Sequence, residues 1–162
     1  TGFGAYATQL ALNFQHLLEF KSHYLRTRLS FTRLYSSPTV VEGMNSYGGF
    51  EATRGTVTTG IENDADLAFE FTLTQHWVLV MEGYISEGDA SRFNGLNGVF
   101  NIGSIGGDDL EVSGAYFEEA LAPAIEYNFN SNVGLIGGVW FPVKGRNTAD
   151  YVTYMLALNA FW

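Results

Sequence analysis

The chain has 162 residues, a formal net charge of −9 and no cysteine, with 15% aromatic residues, 19 Gly and 3 Pro. Its length fits one domain, its aromatic content excludes a disordered chain, and the lack of cysteine excludes disulfides and thiol chemistry. The acidic balance argues against nucleic-acid binding, and no run reaches the roughly 18 apolar residues of a transmembrane helix.

Apolar and polar residues alternate along most of the chain, which is the period of a β-strand rather than of a helix. The predicted strands, in chain order, cover residues 6–20, 25–31, 57–73, 77–85, 121–129, 133–141 and 151–162. We interpret 57–73 as one long strand because its apolar residues stay on odd positions, which gives seven strands. Two separate strands in this stretch would give eight.

The connections between the predicted strands alternate between short and long. The short ones are 21–23, 75–76 and 130–132, and the long ones are 36–49, 87–117 and 144–150. We expect the long ones to be loops, with a short hairpin near Val99 and Val112 in the second of them. Short turns on one side and longer loops on the other are typical of membrane-spanning β-barrels.

Aromatic residues lie at the ends of the apolar faces. Those at the level of the short turns are Phe20, Trp77, Phe129 and Trp162, and those at the opposite level are Tyr6, Phe31, Tyr35, Phe141 and Tyr154. Two such levels match the aromatic girdles that membrane barrels place at the two interfaces. Each apolar face is also long enough for the roughly 9–11 residues of a tilted strand that crosses a bilayer.

The last predicted strand carries an apolar residue at every second position and ends on an aromatic one, as shown by Tyr154, Leu156, Leu158 and Trp162. This strand resembles the terminal strand of bacterial outer-membrane β-barrel proteins. The resemblance implies an outer-membrane location, a periplasmic C-terminus, and recognition of these residues by the outer-membrane assembly machinery. The segments Ala122–Ala124 and Gly145–Thr148 also resemble the outer-membrane transport channels associated with phenol-degradation pathways.

The sequence therefore predicts an all-β fold, a transmembrane antiparallel up-and-down β-barrel, with residues 1–162 as one outer-membrane domain. Bacterial single-chain barrels have an even number of strands. Seven strands therefore favour the C-terminal part of a larger barrel of about twelve strands, incomplete at its N-terminus. The alternative is a complete barrel of eight strands with irregular loops.

Charged residues also fall on the inward faces of the predicted strands. They are Glu19, Arg26, Arg28, Glu70, Glu82 and Glu126. In a narrow barrel they would form a structural network, because buried charges must be paired. In a wide barrel they would line a water-filled lumen, together with Gln9 and Asn13, and set its selectivity.

The other acidic residues lie in the predicted connections or, for Glu62, Asp64 and Asp66, in an acidic stretch between the two apolar halves of 57–73. Solvation of the loops is the simpler interpretation, and the alternative is binding of divalent cations that bridge to lipopolysaccharide phosphates. No motif predicts a cofactor or a metal site. The histidines, His16, His23 and His76, lie near the short turns without a partnered nucleophile, so we expect no enzyme activity.

The leading functional hypothesis is an outer-membrane channel for passive diffusion of small solutes, embedded in lipid and lipopolysaccharide. The alternative is a small closed barrel whose acidic outer loops serve adhesion, surface interaction or envelope structure. A larger barrel favours the first hypothesis, whereas eight strands filled by side chains favour the second. The sequence identifies no solute and leaves the oligomeric state open.

Overall fold

The computed structural model describes residues 4–96 and 106–160, and over these residues it is all-β and antiparallel with no helix, as the alternation predicts. The strands in chain order are β1 (Ala7–Phe20), β2 (His23–Ser36), β3 (Thr39–Glu42), β4 (Arg54–Thr58), β5 (Glu62–Thr72), β6 (Trp77–Gly88), β7 (Ser91–Leu96), β8 (Gly106–Ser113), β9 (Tyr116–Asn128), β10 (Val133–Arg146) and β11 (Thr153–Ala160). Seven strands form the large sheet, in the order β1-β2-β5-β6-β9-β10-β11. The other four form the small sheet, in the order β3-β4-β7-β8.

The chain divides into two compact units. The first contains Thr1–Leu10, Arg33–Asn63 and Glu87–Tyr116, and the second contains Ala11–Thr32, Asp64–Ser86 and Phe117–Trp162. The small sheet lies within the first unit, and most of the large sheet lies within the second.

The large sheet is built from hairpins whose short turns are fixed by polar side chains. In two of these turns a side-chain oxygen accepts hydrogen bonds from the backbone N–H groups two and three residues later. The distances are 3.2 and 3.0 Å for Thr74 Oγ1, and 2.8 and 2.9 Å for Asn130 Oδ1. Such bonds replace the ladder where the chain reverses. The predicted short connections are therefore confirmed.

The register of the large sheet separates its residues into two faces. Gly134 of β10 pairs with Asn128 of β9 and with Asn159 of β11. Side chains alternate along a strand, so even positions of β9 and β10 share a face with odd positions of β11. We call this face the polar face. It also carries the odd positions of β1 and the even positions of β2, β5 and β6, and the opposite face is the apolar face.

In the centre of the large sheet, the apolar face is the more exposed one. Its exposed side chains in β5, β6 and β9, with the adjoining turn residues, are Leu67, Phe69, Leu73, Trp77, Leu79, Met81, Ile85, Leu121, Ile125 and Phe129. The buried apolar residues of the large sheet, among those described, are Ala68, Ala120 and Ala122 on the polar face. In these central strands the large apolar side chains thus lie on the more exposed face, and the buried alanines lie on the polar face.

The small sheet has the usual arrangement, with large apolar residues inside. Val41, Val57 and Phe93 are buried together, and Tyr47 packs against them. Val57 lies at the centre, with 2% of its surface exposed. Gly55 leaves room for this packing, because a Cβ at this position would lie 2.7 Å from the ring of Phe93. Residues from three of the four strands and one connection therefore form a compact hydrophobic core.

Two expectations about the chain path are wrong. Residues 57–73 are not one strand, since β4 pairs with β3 and β7 in the small sheet and β5 belongs to the large sheet. The chain leaves the ladder near Gly60, where a Cβ would lie 2.0 Å from the carbonyl oxygen of Asp89. The predicted loop 36–49 also contains a strand, β3, whereas β7 and β8 lie in the segment 87–117 where a short hairpin is expected. Val112 lies in β8 as part of a hairpin, whereas Val99 lies outside the described residues.

The seven strands of the large sheet correspond to the seven predicted alternations, with β5 taking the second half of the long one. Over the described residues, neither sheet closes on itself, and both end in edge strands. A bulge between Pro142 and Lys144 interrupts the pairing of β10 with β9. Bulges of this kind increase the local twist of a sheet.

Candidate functional site

The polar face of the large sheet holds an ion-pair cluster centred on Glu70. Arg26 donates a hydrogen bond from Nε to Glu70 Oε2 at 2.7 Å and also bonds this oxygen through Nη2. Arg28 pairs with the other carboxylate oxygen, with 3.0 Å between Nη2 and Oε1. The Glu70 side chain is 14% exposed, and the two arginine side chains are nearly half exposed. One carboxylate thus receives two guanidinium groups, an arrangement that holds β2 against β5.

A further pair of carboxyl groups extends this cluster toward β6. Glu82 is in hydrogen-bonding contact with Asp66 and lies within electrostatic reach of Arg28 and Glu70. Three acidic and two basic side chains from three neighbouring strands therefore lie close together. We call Arg26, Arg28, Asp66, Glu70 and Glu82 the charge cluster.

A second polar network lies farther along the same strands. Asp64 Oδ1 accepts hydrogen bonds from the hydroxyl groups of Tyr84 at 2.9 Å and Ser86 at 2.7 Å. The ring of Tyr84 meets the ring of Trp140 edge to face, with 5.8 Å between the centroids. The polar face therefore carries hydrogen-bonded acidic groups over much of the length of β5 and β6.

The structure brings four of the six predicted lumen residues into one cluster, namely Arg26, Arg28, Glu70 and Glu82. Glu19 is exposed at the end of β1, and Glu126 lies on β9. Among the described residues, neither makes an ion pair with the cluster. Their roles as lumen residues stay predictions.

Asp64 and Asp66 are not among the predicted lumen residues, because they belong to the acidic stretch between the two apolar halves of 57–73. Both lie within β5, on the same face as Glu70. The even positions of Asp64, Asp66 and Glu70 could have predicted their common face, because alternate residues of a strand share a face. The acidic character of 62–66 obscured it, since charge runs usually mark solvated loops.

The predicted interface aromatics at the short-turn level lie near one another. Tyr127 contacts Trp77 at 4.6 Å and Phe129 at 5.1 Å between ring centroids. Phe20 is exposed at the end of β1. Phe141 lies on β10 toward its opposite end and is partly covered, and Trp162 lies outside the described residues. Their role at a membrane interface stays a prediction.

The proposed assembly residues of the last strand lie on the apolar face. Tyr154, Leu156 and Leu158 are all strongly exposed on β11, which is an edge of the large sheet. Trp162, the fourth residue of this set, is outside the described residues. The observed exposure leaves these side chains accessible, and their recognition by assembly machinery stays a prediction.

Two of the three histidines hold the short turns to the neighbouring hairpin. His23 Nδ1 donates to the carbonyl oxygen of Thr72 at 2.8 Å, and His76 Nδ1 donates to that of Asn128 at 2.6 Å. Both rings stack on the aromatic residue that precedes this carbonyl. Because a carbonyl only accepts, Nδ1 carries the proton in both cases. These contacts give the two histidines a structural role.

The small sheet contains an uncharged cavity next to its core. A cavity of about 150 Å³ lies in the small sheet against Val57 and Phe93, and its lining residues carry no charge. Within residues 4–96 and 106–160, no group of three or more His, Asp or Glu side chains is placed to hold a metal ion. The same residues include no helix of the length and hydropathy needed to cross a membrane.

Comparison with known proteins gives no match, either to a family model or to a curated protein sequence. The two faces of the large sheet and the charge cluster are therefore the features that bear on function.

Proposed function

We propose that the chain forms part of a β-barrel channel in a bacterial outer membrane, through which small solutes diffuse passively. The observation that carries the proposal is the reversed exposure of the large sheet. Its large apolar side chains are exposed, while charged and hydrogen-bonded groups occupy the polar face. A contiguous apolar surface of this kind is stable in hydrocarbon and a liability in water.

In this proposal the apolar face contacts acyl chains, and the polar face lines a lumen. Trp77, Tyr127 and Phe129 would lie at the interface on the side of the short turns, which would face the periplasm. The C-terminus would lie on that side as well. The long connections would meet lipopolysaccharide, with the assembly machinery reading the last strand.

The charge cluster would control which ions pass the lumen. Glu70 neutralises much of the field of Arg26 and Arg28, because it bonds both. The carboxyl pair of Asp66 and Glu82, which shares a proton in its hydrogen bond, adds a negative charge beside this group. Rings and strips of acidic side chains favour cations in membrane channels. The mechanism is diffusion past fixed charges and needs no conformational step.

Planar-bilayer recordings test this function. The purified protein should give stepwise conductance, and a salt gradient should give a reversal potential that reports cation preference. Replacing both carboxyl groups of the pair, with Asp66→Asn and Glu82→Gln together, should move that potential toward anions, while Leu79→Val, on the apolar face, should leave it unchanged. Membrane insertion without any conductance would contradict a channel.

A second candidate function is surface interaction, supported by the small sheet. Segments between strands of the large sheet supply a folded sheet with its own core. Such a structure suits contact with another molecule more than a solvated loop does. Insertion without conductance, together with loss of cell-surface binding after disruption of this sheet, would favour this candidate. Divalent cations bridging acidic residues to lipopolysaccharide would belong to the same role.

A further inference from the structure

The two edge strands of the large sheet are more exposed than any strand between them. β1 is exposed at all fourteen of its positions, and β11 at all eight. The interior strands β5, β6, β9 and β10 are partly covered at many positions. Over the described residues, each edge strand pairs with a neighbour on one side only.

Neither edge carries the features by which soluble proteins prevent edge pairing. Natural edges are blunted by lysine, proline, bulges or inward-pointing charges. β1 has a single charged residue, Glu19 near its end, and β11 has none. Neither contains proline. Both strands can therefore pair with a further strand, and their apolar and polar positions continue the two faces of the sheet.

In lipid such edges would be unstable without partners. This step rests on the proposed function. Each backbone N–H or C=O group that is unpaired in hydrocarbon raises the free energy by several kcal/mol. Both edges present a row of these groups in the plane of the sheet. A membrane location therefore requires strands that pair with β1 and with β11.

Strand direction restricts what those partners can be. The neighbours in the large sheet are antiparallel, so each step along the sheet reverses direction. Six steps separate β1 from β11, and the two edges therefore run in the same direction. An antiparallel closure between edges of equal direction needs an odd number of intervening strands.

We propose that an odd number of further antiparallel strands, supplied by polypeptide other than the strands of this sheet, pairs with β1 and β11 and closes the barrel. These strands carry apolar residues on the lipid side and polar residues on the lumen side, in register with the two faces. A second copy of the chain in the same orientation does not satisfy this requirement. Its β11 would meet β1 in parallel.

Site-specific photo-cross-linking tests the proposal in the protein isolated from its native membrane. A benzophenone amino acid replaces Leu12 in one variant and Leu18 in another, so that each probe lies on the apolar side of β1. Peptides cross-linked to each probe are identified by mass spectrometry. The control places the same probe at Leu79 on the interior strand β6, where we expect lipid and intrasheet products.

The expected result is that both probes react with one partner strand of alternating apolar and polar residues. The probe at Leu18 should react with a lower-numbered partner residue than the probe at Leu12. Moving the probe from Leu12 to Leu18 should shift the cross-linked partner residue about six positions toward the partner's N-terminus, because antiparallel strands pair one to one. Reaction with Thr153–Ala160 in ascending order would overturn the proposal and show parallel closure within one chain or between copies. Lipid products alone would overturn it too.

The cross-linking experiment tests closure of the barrel, and the conductance recordings test the channel function, so either one can fail without the other. An antiparallel partner in a protein without conductance would support closure and contradict the channel. Conductance together with parallel self-pairing would do the reverse. If the protein does not fractionate with membranes, the proposed function fails, and the free-energy argument for edge partners fails with it.

Discussion

The two sheets of this chain place large apolar residues on opposite sides. In the small sheet they are inside, with Val57 and Phe93 packed in a common core. In the large sheet they are outside, and the polar face holds alanines and the charge cluster. The same alternation of apolar and polar residues therefore serves two purposes. Under the proposed function, the two apolar faces differ in the medium that they contact.

The difference shows that alternation predicts which residues share a face of a strand. It does not predict whether the apolar face contacts protein, lipid or water. A strand in water hides its apolar face against another layer, whereas a strand in lipid turns that face outward. The deciding observation is what lies on the opposite face. In the large sheet that face carries an Arg–Glu–Arg arrangement and buried alanines.

The largest expected effect is a loss of core packing in the small sheet. Phe93→Ala should lower its local stability by about 3–5 kcal/mol, because the ring is buried and leaves a cavity. Hydrogen exchange at the backbone of β4 and β7 measures this change. Leu96→Ala, on the same strand but exposed, is the control and should change exchange little. Equal effects of the two substitutions would contradict the core.

The next effect probes the apolar face of the large sheet. Leu79→Arg should destabilise the protein in lipid vesicles by about 2–4 kcal/mol, the range for arginine near the middle of a bilayer. Val40→Arg, at a residue of the small sheet with 73% exposure, is the control and should be tolerated. Urea unfolding followed by the fluorescence of Trp77 and Trp140 reports the large sheet. Tolerance of arginine at Leu79 would place that residue in water.

A smaller effect is expected at the centre of the charge cluster. Glu70→Gln leaves Arg26 and Arg28 without their shared carboxylate and should lower stability by about 1–3 kcal/mol, between the ranges for exposed and buried ion pairs. The same urea unfolding measures it. Glu126→Gln is the control, because Glu126 makes no ion pair among the described residues. If both variants lose the same stability, the ion pairs do not hold β2 to β5.

The large sheet could be predicted from sequence, because each of its strands alternates over many residues and the faces follow from numbering alone. Tyr154, Leu156 and Leu158 were assigned to one face in this way. The small sheet could not, since β3 and β4 have only four and five residues. Their core joins Val41, Val57 and Phe93 across distant segments, and no local period reports such packing.

The cluster could be predicted only in part for a related reason. Arg26, Arg28, Glu70 and Glu82 follow strand periodicity. Which of them pair depends on the register between β2, β5 and β6, which numbering along one strand does not give. Asp66 was missed because a local run of acidic residues favours a loop. In the structure it instead contacts Glu82, which lies within electrostatic reach of Arg28.

The smallest expected effect concerns a contact between the first residues of β9 and the connection that precedes β11. The hydroxyl of Tyr151 donates a hydrogen bond to Glu118 Oε1 at 2.7 Å. This bond, reinforced by burial and by the negative charge, raises the pKa of Tyr151 above its usual value of 10.0. Glu118→Gln should return the pKa toward that value, while Glu119→Gln should not.

The phenolate absorbance of the protein minus that of Tyr151→Phe isolates this titration. Because the pKa is raised on folding, the contact adds stability below pH 10 that is lost as the pH rises through the folded-state pKa. An unchanged pKa in Glu118→Gln would mean that the hydrogen bond does not form. A shift of the Tyr151 pKa in Glu118→Gln but not in Glu119→Gln would show that Glu118 contacts the connection that precedes β11.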